Sequence, residues 1–412
     1  MRLILCFLAA GLAAADVTVE QVNKALGVEL FADTNLWDDD AKAVAERLAW
    51  PQESETTTDA SYRLYPKDTY RLLDCRPYSC AFISEMNKPS TLSLMFANKG
   101  DSVSISAKDV KDKTKAKARD EQIKDYKKAI ADDAKDLGDK LTALFGKPSA
   151  DRMGQGRATS EVVRRWDWNG HAFLLASPKD EYVALRIVSV KSADDGGRTR
   201  VSDAELFARA KTRVEKRPNG DVVLKDIPMV DQGPKGYCAP ATWERAMRYM
   251  GVPADMYVLA MAGQSGAGGG TSVVALAAGA KDAVTRGGRK IESFSGKIDP
   301  STVAKYIDRG LPIMWAMFST KPYNELANAR TKERQGMTDP AAWKKAVADG
   351  RKGQKALQPN RNEGHVCMII GYNKETGEVA VSDSWGPNYE ERWILGVEAT
   401  QVSQGSMTVI GF

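Results

Sequence analysis

Apolar positions in the chain recur either every three to four residues, the helical period, or every second residue, the strand period. The clearest helical stripe is Ile123, Tyr126, Ile130, Leu137, Leu141 and Leu144, closed by Gly146 and Pro148. Three strand-like stretches precede it, "SYRLYPKDTYRLL", "SCAFISEM" and "STLSLMFAN", and three follow, "SEVVRRWDW", "HAFLLAS" and "EYVALRIVSV". The pattern predicts one long helix packed on an antiparallel sheet. Asp16 to about Pro51 reads as helical, with "DDDAKAVAERLAW" placing acidic residues ahead of Ala43, Ala45 and Leu48. The lysines from Lys108 to Lys128 read as the solvated face of the long helix, and this region offers no chemistry of its own.

A polar, Gly-containing and partly helical stretch beginning "KSADDGGRTR" reads as a linker, with a boundary near Arg217. Beyond it "CAPATWERAMRYMG" predicts a helix that starts at Cys238, takes Pro240 in its first turn and stops at Gly251. "STVAKYIDRGLPIMWAMF" reads as helix, stop at Gly310 and buried strand. "EGHVCMIIGYN" and "VAVSDSWG" read as a hairpin across the polar turn "NKETGE". The predicted fold class is α+β, with one domain over residues 16–217 and a second over 218–412.

Composition adds little to this. Hydrophobic residues make up 43% of the 412, and 59 basic side chains balance 54 acidic ones to a net charge of +5, which does not suggest a nucleic-acid partner. The opening "MRLILCFLAAGLAAADV" places Arg2 before an apolar run with small residues at Ala13 and Ala15. Residues 1–15 therefore read as a secretory signal, with an exported mature chain beginning near Asp16. No apolar run reaches the roughly 20 residues of a membrane span. Cys6 lies inside the signal. In an oxidising compartment Cys75 and Cys80 could close a small loop or remain two free thiols.

Cys238 is the informative cysteine. At a helix N-terminus, the helix dipole and unpaired N–H groups favour a thiolate. Such a nucleophile needs a base, and the chain has two histidines. In the hairpin, antiparallel pairing would bring His365, near the start of one strand, to Asp383, near the end of the other. Gln232, six residues ahead of Cys238, could share with the Cys238 backbone N–H the task of holding an oxyanion, and Gly233 and Gly236 let its loop turn tightly. His171 mimics the setting of His365 in "NGHAFLLAS" but lacks the following hairpin, so it reads as a strand residue. Cys367 reads as a buried small hydrophobe. The loop "GQSGAGGGTS" has no lysine where a phosphate-binding loop needs one and reads as a wall of the substrate cleft.

These residues carry a resemblance. "QGPKGYC" and "DSWG" resemble the glutamine-to-cysteine segment and the Asn-Ser-Trp-Gly motif of papain-like cysteine peptidases. "YCAPA" with aspartate as third member is closest to the branch resembling double-glycine leader peptidases. The likeness spans about Asp226 to Phe412 and departs at Lys235 and Ala239, where papain-type enzymes usually carry cysteine and tryptophan. It implies a papain-like catalytic domain in which a helix bearing the cysteine packs on an antiparallel sheet bearing the histidine. Cys238 would be nucleophile, His365 general base and acid, Asp383 its orienting partner, Gln232 part of the oxyanion hole, and Trp385 a shield.

The expectation is a secreted thiol hydrolase of peptide or isopeptide bonds that uses no cofactor or metal and acts on a peptide or protein substrate. A transglutaminase-type acyltransferase would use the same triad, and a binding protein on a peptidase fold is the non-enzymatic alternative. The charged segment Lys321 to Glu363 reads as an insertion over the cleft or a solvated helix pair. The N-terminal domain is expected to regulate or target the catalytic one.

Overall fold

The computed structural model describes residues 17–352 and 355–412, so the signal segment read at residues 1–15 lies outside the described residues. Two antiparallel sheets organise the chain, each with helices on its faces, as the α+β reading requires.

The first sheet has eight strands. Its centre is the pair Lys88–Asn98 and Tyr182–Ser189, flanked by Ser79–Glu85 on one side and by His171–Ala176 and Glu161–Trp168 on the other. The long helix Lys113–Phe145 packs on it, capped by Asp112 at its start and closed at Gly146. Its buried Tyr126, Ile130, Leu137 and Leu141 belong to the expected apolar stripe, and they join Phe82, Phe96, Trp166 and Phe173 in one core. Two further strands, Gln52–Glu55 and Ser149–Met153, form the sheet's edges. Of "SYRLYPKDTYRLL", only the start is strand, within Asp59–Leu64. Cys75 and Cys80 are buried free thiols, the second entirely inside the core.

The stretch read as a linker holds a helix, Asp203–Arg213, and runs directly into the second sheet through Val214–Lys216 and Asp221–Leu224. The strand Gly364–Asn373 is the axis of that sheet. Ile313–Phe318 and then Asp221–Leu224 pair along one edge of it, and Glu378–Ser382 along the other. Apolar side chains bury both faces of the sheet. The helix Cys238–Tyr249 lies on one face and is itself almost wholly buried, with Trp243 and Met247 in the core. Lys321–Gln335 and Pro340–Gly350 are a helix pair, the first packed on the strand Arg392–Leu395. Among the described residues no helix is long and apolar enough to cross a membrane.

Candidate active site

Three separate elements deliver the site. Cys238 opens its helix, and the preceding Tyr237 offers no side-chain cap, so the first-turn N–H groups are left for another acceptor. The His365 imidazole and the backbone N–H groups of Val366 and Ala239 favour the charged form of the Cys238 thiol. Burial alone would raise this thiol's pKa, but the His365 hydrogen bond and charge outweigh it, so the net shift is downward, towards the thiolate.

The hairpin pairs as its pattern suggests, with Met368 opposite Ser382 and Asn373 opposite Glu378. His365 Nε2 and Asp383 Oδ1 are 2.8 Å apart, leaving the other ring nitrogen for the thiol. Both residues are buried. Burial opposes a charged imidazole, yet the hydrogen bonds to Asp383 and Cys238 prevail and push His365 up to about 9. The opposite shifts of Cys238 and His365 both favour the thiolate–imidazolium form of the pair. Trp385 covers the imidazole, its ring centroid 4.8 Å away and tilted by 31°.

The second oxygen of Asp383 is held by Arg392, whose Nη2 lies 2.6 Å and Nε 3.1 Å from Oδ2. Arg392 in turn donates to Asn324 and Asn328 of the helix Lys321–Gln335. That helix therefore braces the far side of the carboxylate. Burial would raise the pKa of Asp383, but His365 and Arg392 together hold its carboxyl below the usual aspartate range.

Gln232 stands in the loop before Cys238, its backbone N–H on the Ser384 carbonyl at 2.9 Å. Its side-chain Nε2 donates to the Lys235 carbonyl at 2.9 Å, which commits one of two amide hydrogens and leaves the other. Its Oε1 is buried without a partner among the described residues.

Side chains that the sequence reading did not single out lock these elements together. Thr242 Oγ1 donates to the Val366 carbonyl at 3.0 Å, tying the Cys238 helix to the His365 strand. Arg245, fully buried on the same helix, donates to Ser382 Oγ at 2.6 Å and to the Pro228 carbonyl at 2.9 Å. The helix carries two further charges, Glu244 and Arg248, so nothing in its sequence singles out Arg245 as this brace.

The other chemistry-bearing residues lie elsewhere or are sealed. His171 is on the first sheet, fully buried among Phe31, Trp37 and Trp168, with its pKa lowered by burial. Cys367 is near Asp383, but burial and that carboxylate push its thiol far up. It is 0% exposed and offers no nucleophile. The loop Gly263 to Ser272, read as a wall of the substrate cleft, is tied by hydrogen bonds to the segment ahead of Cys238 and to the first half. Gly270 N–H donates to the Gly236 carbonyl and Gly268 N–H to the Lys99 carbonyl. A Cβ on Gly269 would fall 2.6 Å from the Gly236 Cα, which is why this close approach needs glycine.

Residues 224–401 match the model of the Peptidase_C39 like family. Among solved structures, the peptidase domain of Streptococcus ComA, described as a bi-functional ABC transporter involved in a quorum-sensing pathway, aligns over 44% of this chain and 96% of its own. The sequence identity is 12% and the TM-score 0.29. No curated protein matches.

Proposed function

We propose that this chain, whose C-terminal half is a papain-like domain of the C39-like family, is a thiol peptidase acting through an acyl-enzyme on Cys238. The observation that carries the reading is the buried relay Cys238, His365, Asp383 and Arg392, with the thiol shifted down and the imidazole up.

In the proposed reaction the Cys238 thiolate attacks the scissile carbonyl carbon, and the carbonyl π pair moves onto oxygen. The Cys238 backbone N–H and the free Gln232 amide hydrogen receive that oxyanion. As the tetrahedral intermediate collapses, the C–N bond breaks and imidazolium His365 gives its proton to the leaving amine, leaving a thioester. A water then attacks the thioester while His365 takes its proton. The carboxylic acid departs, and the sulfur leaves as thiolate. Asp383 fixes the imidazole's orientation throughout, and Arg392 keeps Asp383 ionised.

An exported location fits a peptidase with a leader-like N-terminus and is part of the same proposal. Peptide or isopeptide bonds in proteins are the proposed substrate class. The test is mass spectrometry of a peptide library treated with wild type and with Cys238→Ala, with and without an amine acceptor. New carboxyl termini that need Cys238 support hydrolysis. Products carrying the amine in place of water would assign acyl transfer instead, and identical spectra from both proteins would refute an enzyme.

A further inference from the structure

The loop that carries Gln232 is anchored at several residues by side chains from the other half of the chain. The Met229 N–H donates to Ser54 Oγ at 2.8 Å and the Asp231 N–H to Glu53 Oε1 at 2.7 Å. The Tyr65 hydroxyl donates to the Asp231 carbonyl. Lys235 is the centre of the arrangement. Its side chain is 0% exposed, and its Nζ sits 3.2 Å from Asp101 Oδ1 and 2.8 Å from the Gln232 carbonyl. The Tyr65 ring lies 4.5 Å from that ammonium and the Tyr257 ring 5.4 Å. Tyr237, next to Cys238, is buried against Gly100, where a Cβ would fall 2.5 Å from its ring.

A buried ammonium is costly unless paired and hydrogen-bonded, so the lysine has few alternative positions. Its one loop-side acceptor is the carbonyl of Gln232. The Gln232 amide in turn rests on the Lys235 carbonyl, so the two residues hold each other across a single turn. The first half supplies the counter-charge of Asp101 and the ring of Tyr65 that this turn requires.

We propose that Lys235, paired with Asp101 and packed on Tyr65, is a positioning residue for the oxyanion site, and that the N-terminal half is thereby a built-in part of the catalytic apparatus. The inference rests on the peptidase reading, in which Gln232 receives the oxyanion. It deepens that reading by assigning the first half a role in the chemical step.

The two reactions of Cys238 separate this role from general integrity. With iodoacetamide the thiolate displaces iodide from a methylene carbon, and no carbonyl oxyanion forms. With p-nitrophenyl acetate it adds to a carbonyl, passes through an oxyanion and expels p-nitrophenolate. In the full-length protein, Lys235→Met and Asp101→Asn are expected to lower the acylation rate by about tenfold to a hundredfold, the range below full loss of an oxyanion donor. Alkylation should stay within about twofold of wild type, because the thiolate–imidazolium pair is untouched. Tyr65→Phe, which removes only the hydroxyl on the Asp231 carbonyl, should show the same split at about threefold or more. It decides the matter if the buried-charge variants fail to fold. Equal rates for both reactions in variant and wild type would overturn the proposal. A parallel fall in both would also overturn it, leaving these residues a purely structural role. A wild-type protein whose Cys238 shows no His365-dependent thiolate would overturn the peptidase reading and this inference with it.

Discussion

The Asp383 carboxylate divides its two oxygens between His365 and Arg392, and at 1% exposure it has no water to fall back on. Each partner therefore matters in a different way. Asp383→Asn removes a charge that holds the imidazole's pKa up, and, because His365 and Arg392 both donate to this group, its amide NH2 leaves one of them without an acceptor. His365, now at about 9, should titrate lower. The sign follows directly: the proton that His365 gives to the leaving amine is lost as pH rises through its pKa. The alkaline limb of kcat/KM should therefore move to lower pH in the variant, and a profile with an unmoved alkaline limb would contradict the relay. Arg392→Gln instead strands a buried carboxylate, and breaking a buried pair in this way costs about 3–5 kcal/mol. Denaturant unfolding should register that loss, and kcat should fall together with it. Cys238, His365 and Asp383 were legible in the sequence because only two histidines compete and one of them opens a hairpin that ends in Asp-Ser-Trp-Gly. Arg392 was not legible, since its place beside Asp383 depends on the neighbouring strand and on a turn around Pro387–Tyr389 that no periodicity encodes.

At the scale of elements, the Cys238 helix is the least tolerant piece. It has no solvent face along most of its length, and its polar residues Thr242 and Arg245 are spent on the His365 and Asp383 strands. Gly100 seats the ring of the residue that precedes it. Gly100→Ala forces a methyl into the rigid Tyr237 ring, and such overpacking costs about 1–3 kcal/mol. Thermal unfolding should show a lowered midpoint, whereas an unchanged midpoint would mean that Tyr237 moves freely. The long helix Lys113–Phe145 and the hairpin of Gly364–Asn373 and Glu378–Ser382 could be read from their apolar patterns, whereas the helices Met256–Ala262 and Val273–Arg286 and the strand Ser403–Gly411 were not. The strands Gln52–Glu55 and Ser149–Met153 escaped because they are short, polar and at sheet edges, where no apolar alternation is required. "SYRLYPKDTYRLL" was overextended because Pro66 ends the strand that its first residues begin. The segment read as an insertion over the cleft or a solvated helix pair is a largely exposed helix pair, and its first helix, Lys321–Gln335, also meets Arg392 through Asn324 and Asn328. Two asparagines one turn apart in a charged helix give no pattern that would announce it.

For the whole molecule, the two sheets are joined by a shared apolar cluster rather than by a flexible tether. Met95, Tyr182 and Ala184 of the first sheet pack with Val230, Tyr237, Ala241, Met256 and Tyr257. Beside this seam lies a cavity of about 650 Å3 lined by Arg63, Arg186, Glu244 and Asp255, apart from Cys238. Removing the residues before Val214 would expose the cluster and leave Lys235 without Asp101. The truncated protein is expected to bind a hydrophobic dye and to lose esterase activity, and a fully active, dye-silent fragment would contradict the joined architecture. The stretch read as a linker for its polarity holds the helix Asp203–Arg213 and the strand Val214–Lys216 of the second sheet, and sequence gave no sign of the seam. The residues that meet there are ordinary core residues in each half, and complementarity between two surfaces is not written in either one's period. The most direct test of the central claim is iodoacetamide labelling of Cys238 from about pH 4 to about pH 9, in wild type and in His365→Ala, read by peptide mass. Labelling should persist well below the ordinary thiol pKa of roughly 8.5 and weaken in the variant. Labelling confined to alkaline pH and indifferent to His365 would mean that Cys238 and His365 are not a working pair.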